Sequence, residues 1–96
     1  MKRVVEDKPV GTIRADEVKA EMLVVAKIDG ELYKLASEAN PGQLVFWSDL
    51  DNGLYNYGGH FESVQDAIEE ATKDRGEVFV LSDLNELADW IKENAG

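Results

Sequence analysis

Chemistry in this chain would have to rest on few groups. There is one histidine, His60, and no cysteine. Thiol nucleophiles, disulfides and cysteine-bound zinc are therefore excluded. The serines are Ser37, Ser48, Ser63 and Ser82. Ser63 and Ser82 each stand just before a helical pattern and read as caps. A Ser-His-Asp arrangement would need His60 to meet Ser48 and a carboxylate across a sheet, and nothing in the spacing brings them together. Gly58-Gly59-His60 reads as a turn before a helix, with His60 as a cap or surface residue.

Metal and phosphate chemistry are equally thin. Asp49-Leu50-Asp51-Asn52-Gly53 opens like a calcium loop, with oxygens at alternate positions. It then departs from one, because glycine holds the fifth position and His60 the twelfth, where a bidentate Glu belongs. A hairpin turn accounts for the same residues. Gly58-Gly59 lacks the Lys-Ser/Thr of a phosphate loop, and Glu62 and Asp66 would repel a phosphate there. No catalytic, metal or cofactor site is expected, and the protein reads as a non-enzyme.

Two groups of residues carry more information. Asp66, Glu69, Glu70 and Asp74 lie opposite an apolar helical stripe of Val64, Ala67, Ile68 and Ala71. Asp83, Glu86, Asp89 and Glu93 do the same against Leu84, Leu87, Ala88 and Ile91, with Trp90 at the margin of that stripe. Carboxylates three and four apart on a helix stand about 5–6 Å from each other. Two such helices side by side would make one acidic ridge able to imitate the phosphate track of a duplex. The second group is aromatic. Trp47, Tyr55 and Tyr57 are expected on one sheet face, as core or as a surface for a small ligand or peptide.

Charge narrows the partners. Ten Lys and Arg stand against twenty Asp and Glu, a formal net charge of −10. Residues 1–48 carry 7 positive and 8 negative side chains, and residues 49–96 carry 3 and 12. Direct binding of nucleic acid requires cations against phosphates, so it is disfavoured, as is docking on an anionic membrane. The charge suits a basic surface on another protein, or simply solubility. The chain resembles small phage-encoded inhibitors in size, acidity and lack of a catalytic motif. That likeness is one of composition. It implies an inhibitor that mimics DNA in the basic groove of a host protein. A cytoplasmic monomer or homodimer is expected, since no apolar run is long enough to span a membrane and no apolar h-region follows Met1-Lys2-Arg3.

The elements that must position these residues follow from periodicity. Ninety-six residues make a single acidic domain, 1–96. Residues 2–6 and 10–14 read as short edge strands, and 16–20 as a helical turn capped by Asp16 or an extension of the next strand. Met22–Ile28 and Glu31–Ala36 flank Asp29-Gly30, the dipeptide of a type I′ hairpin. That turn pairs Ile28 with Glu31, Ala26 with Tyr33 and Val24 with Leu35. It puts Met22, Val24, Ala26, Ile28, Tyr33 and Leu35 on the core face. Asn40-Pro41-Gly42 is a turn. A three-residue loop at 51–53 pairs Leu50 with Leu54, Ser48 with Asn56 and Trp47 with Tyr57. A helix runs from the Ser63 cap to Arg75 with Gly76 as its C′ residue. Glu77–Leu81 is a strand apolar on both faces, and a second helix follows a Ser82 cap. The expected fold is α+β, in the order β-β-β-β-α-β-α: a mostly antiparallel sheet with two C-terminal helices packed on one face.

Overall fold

The computed structural model describes residues 1–5, 10–38, 44–51 and 56–95, with Asn56 for its backbone alone. The fold is mixed α+β. Among the described residues seven strands form one sheet: β1 (Lys2–Val5), β2 (Thr12–Arg14), β3 (Leu23–Ile28), β4 (Glu31–Ser37), β5 (Val45–Asp49), β6 (Asn56–Phe61) and β7 (Glu77–Leu81). Helix α1 (Val64–Lys73) precedes β7, and α2 (Leu84–Asn94) follows it. The strand order is β2-β1-β7-β3-β4-β5-β6. All neighbours are antiparallel except β1 and β2, which are parallel. β1 is therefore an interior strand, not the expected edge. Residues 15–17 form a 3-10 turn entered from Arg14, so Asp16 lies inside the turn and is not its cap.

The hairpins obey their turn chemistry. Asp29 and Gly30 both have positive φ, 54° and 83°, as a type I′ turn demands. Ile28 pairs with Glu31 and Ala26 with Tyr33. The ladder stops at Val25–Lys34, so Val24 and Leu35 do not pair. Ser48 pairs with Asn56 and Trp47 with Tyr57, the register expected of the second hairpin. Its Gly53 and Leu54, and the turn at 40–42, lie outside the described residues. Beyond Trp47 the register shifts, and Phe46 pairs with His60. Gly58 and Gly59 absorb that shift with positive φ of 71° and 83°.

The two helices cover opposite faces of the sheet, which corrects the one-face expectation. α1 closes a core of Val24, Ala26, Ile28, Tyr33, Leu35, Trp47 and Val78 with its own Val64, Ala67, Ile68 and Ala71. α2 closes the other side, where Val25 and Leu81 pack with Trp90. The reason is visible in β3. Val24, Val25 and Ala26 are consecutive and all fully buried, which one covered face cannot achieve because neighbouring side chains point to opposite sides. β7 repeats the pattern with Val78 and Phe79.

Helix ends follow local rules. Ser63 caps α1, its Oγ accepting from the Asp66 N–H at 3.1 Å. α2 is capped by Asp83, not Ser82: Asp83 Oδ1 accepts from the Glu86 N–H at 2.9 Å, and Glu86 Oε1 accepts from the Ser82 N–H at 3.1 Å. At the end of α1, the Arg75 N–H reaches the Thr72 carbonyl and the Gly76 N–H the Ala71 carbonyl. This is a Schellman motif. Arg75, not Gly76, takes its left-handed position, with φ 65°. Gly76 is required for space instead. A Cβ there would lie 2.4 Å from the Ala71 carbonyl oxygen and 2.9 Å from Ile28 Cγ1.

α2 is also turned relative to the expected stripe. Trp90 is its buried residue, with Leu87 and Ile91 beside it, while Leu84 and Ala88 are exposed. Burial of an indole removes about 150–250 Å² of surface, worth about 4–6 kcal/mol at roughly 25 cal/mol per Å². Trp90 Nε1 is buried without a hydrogen-bond partner among the described residues, at a cost of about 1–3 kcal/mol. The area term wins, so the helix rotates to bury Trp90 against Phe79, with ring centroids 6.1 Å apart.

Candidate functional site

The acidic residues occupy two separate places. On α1, Asp66 and Glu69 are exposed and Glu70 is half-buried. No ion pair involves them among the described residues; Glu69 does not reach Lys73 within salt-bridge distance. Asp74, at the end of the same helix, accepts a hydrogen bond from the Tyr57 hydroxyl. On α2, Asp83 and Glu86 serve the helix N-terminus. Glu86 also pairs with the Met1 ammonium at 2.8 Å, and these contacts hold its carboxyl below the usual carboxylate range, the ammonium being the largest cause and the Ser82 N–H the next. Asp89 and Glu93 remain exposed on α2, without an ion pair among the described residues. With the sheet between the helices, the two sets do not join into one ridge. Among the described residues, the helical carboxylates without an ion pair are Asp66, Glu69 and Glu70 on one side and Asp89 and Glu93 on the other.

The aromatic group is mostly structural. Trp47 is fully buried beneath α1, and its Nε1–H donates to the Ala67 carbonyl at 3.0 Å. Tyr57 is half-buried and tilts against Tyr33, centroids 5.8 Å apart. Tyr55 lies outside the described residues. Trp47 thus takes the core alternative, and no exposed platform includes it.

His60 stands on β6, exposed, edge-on to Phe46 with centroids 5.0 Å apart. Its Nδ1 lies 3.4 Å from Glu38 Oε1. Ser48 sits two strand positions away in the ladder from Phe46, the partner of His60, and pairs instead with Asn56.

The sheet also gathers Glu31, Asp49 and Asp51, each offering a carboxylate oxygen within 4.8 Å of the others. Asp49 is the one buried acidic residue of the three, and its Oδ1 accepts from the Asp51 N–H at 2.7 Å. The Asp49–Asp51 part of this cluster was legible as a turn. Glu31 was not, because it arrives from the other hairpin through the pairing of Tyr33 with Asp49.

A cleft opens at the end of the sheet where β3 begins and β4 ends. Sequence reading did not find it, since it depends on where a ladder stops. No helix among the described residues is long and apolar enough to cross a membrane. No family model matches the chain, and no curated protein or solved structure is similar to it.

Proposed function

We propose that the protein is a non-enzymatic binding module that engages a basic surface of another protein through the outer carboxylates of α1. The observation that carries this reading is that Asp66, Glu69 and Glu70 project from one helix with no cation paired to them among the described residues. Like charges at such spacing cost the helix a few tenths of a kcal/mol each, and only Asp66, in the first turn of α1, is favoured by the positive helix end. A partner supplying Lys or Arg would relieve that repulsion and gain steering from the net charge of −10. Imitation of a phosphate track, in the manner of a phage-type inhibitor, is on this reading a property of α1 alone. The acidic residues of α2 face the other way, and two of them are engaged at the helix start.

The test is partner capture from an extract of the natural host. The triple variant Asp66→Lys, Glu69→Lys, Glu70→Lys is compared with Asp89→Lys, Glu93→Lys, with folding checked by circular dichroism. Loss of the partner in the first variant and retention in the second supports the proposal. Capture should also weaken steeply as ionic strength rises through about 0.15 M. Equal capture by both variants, or indifference to salt, overturns it.

A further inference from the structure

The two faces of the sheet are covered unequally. Among the described residues, the core beneath α1 reaches from Ile13 on β2 to Trp47 on β5. Beneath α2 the fully covered strand residues are Val25 on β3 and Leu81 on β7. Strands stand about 4.8 Å apart and a helix is about 10 Å across. One helix therefore roofs about two strands, and the rest of that face stays bare.

The ladder defines the bare part on β4, β5 and β6. Lys34 pairs with Val25 and with Ser48. Ala36 pairs with Phe46, and Phe46 with His60. These rows lie on the α2 face, because paired residues and residues two apart share a side. β3 and β4 fork beyond Val25–Lys34, which opens the floor beside Ala36. Ala36 and Phe46 are half-buried and belong to neither core. Lys34 has no carboxylate within ion-pair distance among the described residues.

α2 turns an apolar flank toward this floor. Leu84 and Ala88, four apart, are both exposed, Leu84 at 72%. Leu84 stands at the cleft with Ala36 and Lys34. Glu86, on the opposite flank, pairs with Met1 beside β1. The result is a groove with an apolar wall on α2 and a floor of Ala36, Phe46 and one unpaired ammonium. Its complement is an α2 helix: apolar at Leu84 and Ala88, and anionic at the outward-facing Asp89.

We propose that the protein forms a two-fold dimer in which α2 of each copy fills this groove on the other. A two-fold axis parallel to α2 sets the helices side by side, Leu84 and Ala88 of one against those of the second copy. It also preserves height along the sheet. Trp90 packs on Phe79, and Phe79, Val25, Lys34 and Ser48 form one row. Asp89, the neighbour of Trp90, therefore meets Lys34 of the second copy at that height. The interface is isologous, so the pair forms twice. α1 stays on the outer side of both copies, so this proposal and the α1 reading can fail separately.

The test is sedimentation equilibrium of the full chain from micromolar to near-millimolar concentration, with folding checked by circular dichroism. A monomer–dimer equilibrium is expected. Lys34→Glu and Asp89→Lys should each weaken the dimer about tenfold or more, and the two together should restore it to within about threefold of the parent chain. Ala88→Arg, at an exposed helix position, should leave a monomer. If Lys34→Glu loses its circular dichroism, Ala88→Arg and Asp89→Lys decide the matter. The triple α1 variant should sediment as the parent does. A chain that stays monomeric throughout, single variants that dimerise normally, a charge swap that restores nothing, or dissociation by the α1 variant overturns the proposal.

Discussion

The indole N–H of Trp47 donates to the carbonyl of Ala67, 3.0 Å away and fully buried. One side chain from the centre of β5 thus holds the middle of α1 to the sheet. Trp47→Phe removes that donor and part of the core volume. We expect a loss of about 2–4 kcal/mol, read as a lower midpoint of urea unfolding with an unchanged slope. A loss below 0.5 kcal/mol, roughly the scatter of surface substitutions, would show that the bond does not anchor α1.

Two glycines separate dihedral strain from steric clash. Gly30 has φ 83° and open space around its missing Cβ. Gly30→Ala should cost about 1 kcal/mol, from backbone strain alone. Gly76 has an ordinary φ but no room beside Ala71 and Ile28. Gly76→Ala should cost more, about 2–3 kcal/mol, because backbone must move. The order of the two thermal midpoints checks this, and the reverse order contradicts the packing described for Gly76.

Glu86 links stability to pH. Its folded carboxyl titrates below the ordinary value of 4.5 because the Met1 ammonium and the Ser82 N–H favour the charged form. The sign follows. The contribution is present above the unfolded value and is lost as pH falls from about 4.5 through the lower folded value. Glu86→Gln should therefore flatten the acid limb of a plot of midpoint against pH. Acetylation of the amino terminus should flatten it in the same direction. An unaltered limb in both would remove Glu86 from the acid response.

The separation of the acidic helices is itself measurable. Reversal of Glu69 and of Glu93 should change stability additively, within about 0.3–0.5 kcal/mol, because the sheet stands between them. A larger coupling energy in the double-mutant cycle would place the two carboxylates on one surface.

The short-range features were legible because they depend on neighbours in sequence. Asp29-Gly30 specifies its turn, and Ser63 its cap, through local backbone chemistry. The pairing of Trp47 with Tyr57 followed from the loop length. What could not be read depended on distant partners. The apolar residues on both faces of Glu77–Leu81 pointed to a strand covered on both sides, yet the same property of β3 was not read, and assigning α2 to the second side needs the position of Trp90 on that helix. The gathering of Glu31 with Asp49, and the fork between β3 and β4, depend on which strands pair and where pairing stops. At the candidate site the acidic residues were legible as helix faces, but the engagement of Asp83, Glu86 and Asp74 by caps, an ammonium and a tyrosine was not.

The place of β7 has a consequence for how the molecule is made. It lies between β1 and β3, though it is the last strand to leave the ribosome. The meander β3–β6 joins neighbours in sequence, whereas β1 has no ladder to β3 and meets it only through β7. The amino-terminal pair of strands must therefore wait for residues 77–81 before it joins the rest. A chain cut before Glu77 would emerge as two unjoined pieces of sheet, and closure by this late strand is the step that should set the folding rate.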